Sequence, residues 1–130
     1  MMKVLWRFPV PTTELVPGPD IRLDGSNVLV SYEIVNEEKL RTRSVTLKFR
    51  DVRGVRLTMG DCRSPEMFSG TGALMDLGST PWLRETLKNR EGAMSYDELT
   101  GLVLFHALIN TDDVPCVEVI CSSFDVEELS

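Results

Sequence analysis

The sequence predicts a mainly β (α+β) protein: an antiparallel sheet or a partly closed barrel of six to eight strands with one short helix. Two observations support this prediction. Apolar and polar residues alternate over several short segments, and only one segment combines a helix cap with helical spacing. The chain has 130 residues, of which 42% are hydrophobic and 26% charged. These values are ordinary for a globular protein, so we expect one domain over residues 1–130.

The strand signals begin near the first residue. Residues 4–8 alternate apolar and basic side chains, whereas the prolines between residues 9 and 19 predict an irregular arm, because proline cannot donate to a sheet. A turn is expected at 24–27. Alternation then predicts strands at 28–35, 44–50 and 55–59. Three successive half-buried strands are typical of an antiparallel meander.

The best helix signal covers residues 81–89. Thr80 is a suitable N-cap, and Pro81 fits the first helical position. Leu83 and Leu87 lie four residues apart, so they would form the buried stripe of this helix. A short strand at 73–77 would precede it.

Residues 99–110 give conflicting signals. The preceding segment 95–98 resembles a capping box and favours a helix, but the apolar runs at 102–105 and 108–109 favour a buried strand. A hairpin with the Val- and Ile-rich segment 116–120 joins both runs economically, and we therefore predict strands. The acidic segment 124–130 is expected to fray.

Several residues in the last third resemble a pattern in small uncharacterised bacterial proteins. Residues 76–83 (DLGSTPWL) are similar to a GDSPWL-like helix start, and His106 and residues 117–120 (VEVI) follow as in an H-aromatic strand and an EVIA-like strand. Ala107 replaces the aromatic residue, and Thr80 is inserted before the proline. The resemblance implies a compact β-rich fold and assigns no functional residue.

Positive charge is concentrated in one stretch of an acidic protein. Residues 39–56 contain seven of the 14 Lys and Arg residues, and Asp51 is their only acid in a chain of net charge −6. Alternation places Lys48, Arg50 and Arg56 on the solvent side of neighbouring strands, with Arg41 and Arg43 at the strand entrance. This predicts a cationic sheet face for an acidic protein or an anionic ligand. The alternative is a solvated face balanced by Glu33 or Glu118.

The residue types that support catalysis or metal binding lack the usual company. His106 is the only histidine and lies in an apolar run, which favours a structural role. Cys116 and Cys121 are expected to be small buried hydrophobes on opposite faces, whereas Cys62 lies beside Asp61 and Arg63 in a predicted loop. One histidine and unpatterned cysteines predict no metal site, and we expect no cofactor.

Composition also bears on partners and location. The net charge of −6 argues against general nucleic-acid binding. No apolar run approaches the ~20 residues of a membrane span, so no membrane association is expected. An odd number of cysteines without a CxxC pair favours a reducing cytoplasm. The chain is expected to be a monomer or a homodimer, with Trp6 and Trp82 in or near the core.

These observations rank three functions. The first is a non-catalytic binding or protein-interaction domain of a bacterial cytoplasm, such as a small accessory or immunity-type protein. The alternative is a small-ligand-binding β-barrel module, and the third is an enzyme that uses Cys62 or His106.

Overall fold

The computed structural model describes residues 2–16, 18–35, 41–59, 72–92, 103–111 and 115–129. Over these residues the chain forms nine β-strands, one α-helix and a short 3-10 helix at Thr12–Glu14. The strands and the α-helix are β1 (Lys3–Arg7), β2 (Asp20–Asp24), β3 (Asn27–Val35), β4 (Arg41–Arg50), β5 (Gly54–Thr58), β6 (Ala73–Asp76), α1 (Pro81–Gly92), β7 (Phe105–Asn110), β8 (Cys116–Cys121) and β9 (Ser123–Leu129).

The strands form two antiparallel sheets. One has five strands in the order β1-β6-β7-β8-β5, and the other has four in the order β2-β3-β4-β9. The predicted mainly β class with one α-helix is confirmed. Within the described residues the sheets stay open and form no closed barrel, and nine strands exceed the predicted six to eight.

The main core lies between the two sheets because each inner face presents every second residue of its strands. In β3 and β4 these residues are fully or almost fully buried and include Tyr32, Leu47 and Phe49. They belong to the same apolar cluster as Leu74 of β6 and Val119 of β8 in the opposite sheet. The alternation in the sequence is therefore the packing pattern of a sandwich.

The chain crosses between the sheets at one corner. Asp51 follows β4 with a positive φ of 53°, which turns the chain toward β5. Ser122 lies between β8 and β9, and its hydroxyl donates to Asp51 Oδ2 at 2.5 Å. The predicted meander of three strands is wrong here: β3 and β4 pair, but β5 joins the other sheet beside β8.

Helix α1 covers part of the outer face of the five-stranded sheet. Leu83 packs with Leu104 and Ile120, and Trp82 and Leu87 lie against this small cluster. The helix begins at Pro81, as predicted, and extends to Gly92, three residues beyond the predicted end. Thr80 caps it, because its Oγ1 accepts a hydrogen bond from the Leu83 amide at 3.2 Å.

The C-terminal half tests two further predictions. The hairpin is confirmed over the described residues, since β7 pairs with β8 from Phe105 opposite Cys121 to Ile109 opposite Val117. The predicted frayed acidic end is wrong, because β9 pairs with β4 over seven residue pairs. β4 supplies the ladder partners that the acidic side chains themselves do not signal. Residues 60–71, 93–102 and 112–114, which contain Cys62 and a predicted loop, lie outside the described residues.

The remaining core predictions concern cysteine and tryptophan. Cys116 and Cys121 are fully buried, unpaired, and belong to clusters on opposite faces of β8, as predicted. Trp6 is half-buried beside Phe8, with ring centroids 4.8 Å apart. Trp6 and Trp82 both lie at the margin of the core, which confirms their expected position.

Tyr32 is the one residue of the described core whose side-chain polar atom has no hydrogen-bond partner. Its ring is fully buried in the sandwich and meets Phe8 edge-on, with centroids 5.3 Å apart. Burial raises the pKa of this phenol far above its usual value, with a smaller contribution from Cys116. An unpaired buried hydroxyl costs about 1–3 kcal/mol in desolvation.

We predict that Tyr32→Phe leaves the free energy of unfolding unchanged or raises it by about 1 kcal/mol, because the substitution keeps the ring and removes the unpaired hydroxyl. Urea denaturation followed by tryptophan fluorescence measures this change. A loss of stability above ~1 kcal/mol would show that the hydroxyl has a hydrogen-bond partner.

Candidate functional site

A buried carboxylate on β8 organises the outer face of the five-stranded sheet. Glu118 is 1% exposed, and its two oxygens accept hydrogen bonds from three side chains. Arg56 on β5 donates from Nη2 to Oε1 at 2.9 Å and from Nε to Oε2 at 3.2 Å. Thr58 Oγ1 donates to Oε2 at 3.2 Å. We call Glu118, Arg56, Thr58, His106 and Thr80 the Glu118 cluster.

His106 connects this carboxylate to the start of α1. Its Nε2 lies 2.8 Å from Glu118 Oε1, and its Nδ1 lies 2.6 Å from Thr80 Oγ1. Thr80 Oγ1 already accepts the Leu83 amide, so its hydroxyl hydrogen is best placed on the bond to Nδ1. Nε2–H then donates to Glu118, and every polar atom in this chain of bonds has a partner.

The Trp82 ring closes the cluster from the helix side. It meets the His106 ring edge-on, with centroids 5.0 Å apart, and the Arg56 guanidinium carbon lies 4.3 Å from a Trp82 ring centroid. This is a cation–π geometry. Gly54 makes the close approach possible, because a Cβ at that position would lie 2.8 Å from Trp82 Cζ2.

The hydrogen bonds keep Glu118 ionised despite its burial. Burial by itself raises the pKa of the carboxyl, but hydrogen bonds from His106 and Arg56 and the charge of Arg56 outweigh it. Together they lower the pKa of Glu118 from 4.5 to about 2. A buried carboxylate with this set of donors links β5, β7, β8 and α1 as a single electrostatic unit.

The chemistry of the Glu118 cluster favours a structural role. A hydroxyl, an imidazole and a carboxylate in sequence resemble a nucleophile, base and orienting acid. Here, however, the Thr80 oxygen caps α1, both His106 nitrogens are engaged, and the His106 side chain is 2% exposed. A general base needs substrate within hydrogen-bond reach, and this ring offers little access.

The structure divides the predicted cationic face between two sheets. Lys48, Arg50, Arg41 and Arg43 belong to β4 in the four-stranded sheet, whereas Arg56 belongs to β5 in the five-stranded sheet. The prediction that Lys48, Arg50 and Arg56 share one face is therefore wrong, since the chain changes sheets at Asp51. Alternation gives the face of a strand but not the sheet to which it belongs.

The basic residues of β4 lie beside acidic residues of β9. Lys48 is directly opposite Asp125, and Arg50 forms an ion pair with the same carboxylate. Arg43 is exposed opposite Ile34, and Arg41 lies opposite Val35. Arg56 pairs with Glu118, so the balancing role predicted for Glu118 is confirmed. Glu33 lies opposite Ser44 instead of a basic residue.

The described residues give little support for other site types. No three His, Cys, Asp or Glu side chains in the described part of the chain group together as a metal site. None of the helices that the structure describes is long and apolar enough to cross a membrane. Cys62 lies outside the described residues.

Sequence reasoning found Glu118 only as a counter-charge for Arg56 and missed its position at the centre of a cluster. Glu118 is the one charged residue in β8, and His106 is the one titratable residue in β7. Two isolated polar residues in adjacent apolar strands are a usable signal, because each needs a buried partner. Thr80 and Trp82 could not be placed beside them without the packing of α1.

The fold and cluster define a two-sheet β-sandwich with a buried polar site beneath a single α-helix. No protein-family model, curated protein or solved structure matches the chain.

We predict that Glu118→Gln lowers the free energy of unfolding by about 3 kcal/mol, because it leaves the Arg56 guanidinium facing an amide donor. Asp125→Asn is the matched control: it removes an exposed ion pair with Arg50 and should cost less than ~1 kcal/mol. Urea denaturation at neutral pH compares the two. Equal losses would contradict the central role of Glu118.

The lowered pKa of Glu118 also predicts a pH dependence. Its pKa is below the unfolded value, so its contribution is fully present above about pH 4.5 and is lost as pH falls toward 2. The difference in unfolding free energy between the native chain and Glu118→Gln should therefore shrink from about 3 kcal/mol at pH 6 toward zero near pH 2. Urea titrations across this range measure it, and a constant difference would contradict the prediction.

Proposed function

We propose that this protein is a non-catalytic protein-interaction domain that binds an extended segment of its partner along the open edge of β5. One observation carries the proposal: the exposed side chains of Val55, Leu57 and Met59 follow one another along and just beyond this edge strand. They are 37%, 54% and 57% exposed. Alternate residues of a strand share a face, so they form an apolar row.

The position of β5 in its sheet makes this row unusual. β5 pairs with β8 on one side and is the last strand of the five-stranded sheet, with no strand beside its other edge among the described residues. Proteins commonly protect such edges with charges, prolines or short strands. An edge with apolar side chains is suited to receive another strand, whose backbone supplies hydrogen bonds while side chains supply specificity.

Arg56 gives the partner a charge requirement. Its bonds to Glu118 use Nε and Nη2, so Nη1 takes no part in them, and the side chain is 50% exposed. Residues directly opposite in an antiparallel pair share a face. The best partner therefore places a carboxylate opposite Arg56 and apolar residues opposite Val55 and Leu57.

A second copy of the chain meets this requirement less well. Antiparallel pairing of two β5 strands about Arg56 would place two guanidinium groups together, and pairing about Leu57 would place Arg56 opposite Thr58. Neither arrangement supplies a carboxylate. An acidic partner segment is favoured, in line with the acidic protein partner expected from the sequence.

The wider role we propose is that of a small accessory or immunity-type protein of a bacterial cytoplasm. A small acidic domain that lacks an accessible catalytic group among its described residues suits a protein that acts by occupying another protein's surface. Strand addition is one of the recurring ways in which such domains recognise extended peptides.

The test uses a synthetic peptide of alternating valine and aspartate, titrated into the full chain and followed by backbone amide chemical shifts. We expect saturable shifts along β5 and at Arg56, and weaker binding by a peptide with lysine in place of aspartate. Leu57→Glu should reduce the affinity by about tenfold or more, since it places a charge in the apolar row.

Leu23→Glu is the matched control, because Leu23 is 75% exposed on β2 at the edge of the other sheet. It should leave the affinity unchanged. Equal effects of the two substitutions, or shifts distributed away from β5, would overturn the proposal. A dimer of the chain that Leu57→Glu dissociates would replace the acidic partner with a second copy.

A small-ligand-binding module is the second candidate function, and one observation favours it. An open cleft of about 290 Å³ lies where Leu5, Asp76, Phe105, Ser123 and Phe124 approach one another. Concave and mostly apolar surfaces with a few polar groups are typical of small-molecule sites.

A further inference from the structure

The cleft lies at one end of the sandwich, between the two sheets. Asp76 and Phe105 lie at the end of β6 and the start of β7 in the five-stranded sheet, while Ser123 and Phe124 begin β9 in the other. Leu5 contributes from β1, at a point where the pairing with β6 is irregular. Two sheets that diverge beyond their shared core therefore leave a recess with walls from both.

Three apolar side chains and one carboxylate give the cleft its chemical character. Leu5, Phe105 and Phe124 are partly buried and pack against the main core, so they are held in place from behind. Asp76 Oδ1 accepts a hydrogen bond from the Gly78 amide at 2.9 Å. A carboxylate has about four acceptor positions, so this single bond leaves capacity for a ligand.

The potential at this end of the sandwich is negative. Burial raises the pKa of the nearby Cys121 thiol to about 12, and the charges of Asp76 and Asp51 raise it further toward that value. Cys121 lies directly opposite Phe105 in the sheet. The carboxylate field thus extends into the apolar surroundings of the cleft, where a positive group gains more than it would in water.

Lys3 is the one basic side chain placed directly opposite Asp76 in the sheet register. It is exposed, and the described residues show no ion pair between the two. A ligand cation would therefore compete with Lys3 only across a solvated gap. This competition provides a variant that should strengthen binding.

We propose that this cleft binds small organic ammonium compounds with an aromatic or branched hydrocarbon body. The ammonium group lies on the Asp76 carboxylate, and the hydrocarbon body lies between Leu5, Phe105 and Phe124. Aromatic faces attract cations as well as apolar groups, so both parts of the ligand find a complementary surface. A volume near the lower end of the ~300–1,000 Å³ range of ligand pockets restricts the ligand to a small one. This proposal rests on the second candidate function and is independent of the β5 edge.

Phenethylamine is the probe for the test, with phenylethanol as the neutral analogue and phenylacetate as the anionic one. Each is titrated into the full chain at neutral pH and followed by chemical shifts and calorimetry. We expect saturable shifts at Leu5, Phe105 and Phe124 with phenethylamine, weaker binding of phenylethanol, and no binding of phenylacetate.

Two substitutions separate charge from shape. Asp76→Asn keeps an oxygen for the Gly78 amide but removes the charge, so it should weaken phenethylamine by about tenfold or more and leave phenylethanol unchanged. Lys3→Met should strengthen phenethylamine binding, because it removes the competing ammonium group. Lys3 is exposed, so this variant remains informative if Asp76→Asn fails to fold.

The outcomes distinguish the two levels of the proposal. Equal binding of phenethylamine and phenylethanol, unaffected by either substitution, would overturn the ammonium class while leaving a ligand cleft. No saturable shift at the cleft with any of the three compounds would overturn both the ammonium class and the second candidate function. Neither result would alter peptide binding at β5.

Discussion

The ionised carboxylate of Glu118 is the constraint on which the outer half of the molecule depends. An anion that is 1% exposed is stable only if donors surround it, and here the donors come from β5, β7 and, through His106, the cap of α1. The requirement for these donors fixes positions that apolar packing alone would leave loose. α1 contributes only Leu83 to the fully buried part of its cluster, so its start relies on the Thr80–His106 bond as well.

The same constraint explains why an edge strand remains in place. β5 pairs with a single strand and has exposed apolar side chains on one face, so few buried contacts hold it. On its other face Arg56 and Thr58 both bond to Glu118, and Trp82 covers Arg56 and Gly54. β5 is therefore anchored from one side and open on the other, which is the arrangement that strand addition requires.

The parts of this fold that could be predicted from the sequence are those in which one local pattern decides the outcome. The alternation in β3 and β4, the apolar runs of β7 and β8, and the Thr80–Pro81 start of α1 all gave the correct element. The errors at β5 and β9 have a common physical origin, because the choice of sheet depends on a corner formed by Asp51 and Ser122, residues 71 positions apart. The Glu118 cluster was equally inaccessible, since Thr80 and His106 are 26 positions apart and meet only when α1 packs on the sheet.

Arg56 connects the buried site to the proposed interaction surface. Two of its guanidinium nitrogens neutralise Glu118, its carbon lies over Trp82, and Nη1 stays outside the Glu118 bonds. The planar fork of arginine makes this division feasible, because its donors are fixed in different directions and lysine has no equivalent geometry. The buried carboxylate thus sets the orientation of the cation that a partner strand would meet. Any change that releases Arg56 from Glu118 would alter the chemistry of the β5 edge without touching an exposed residue.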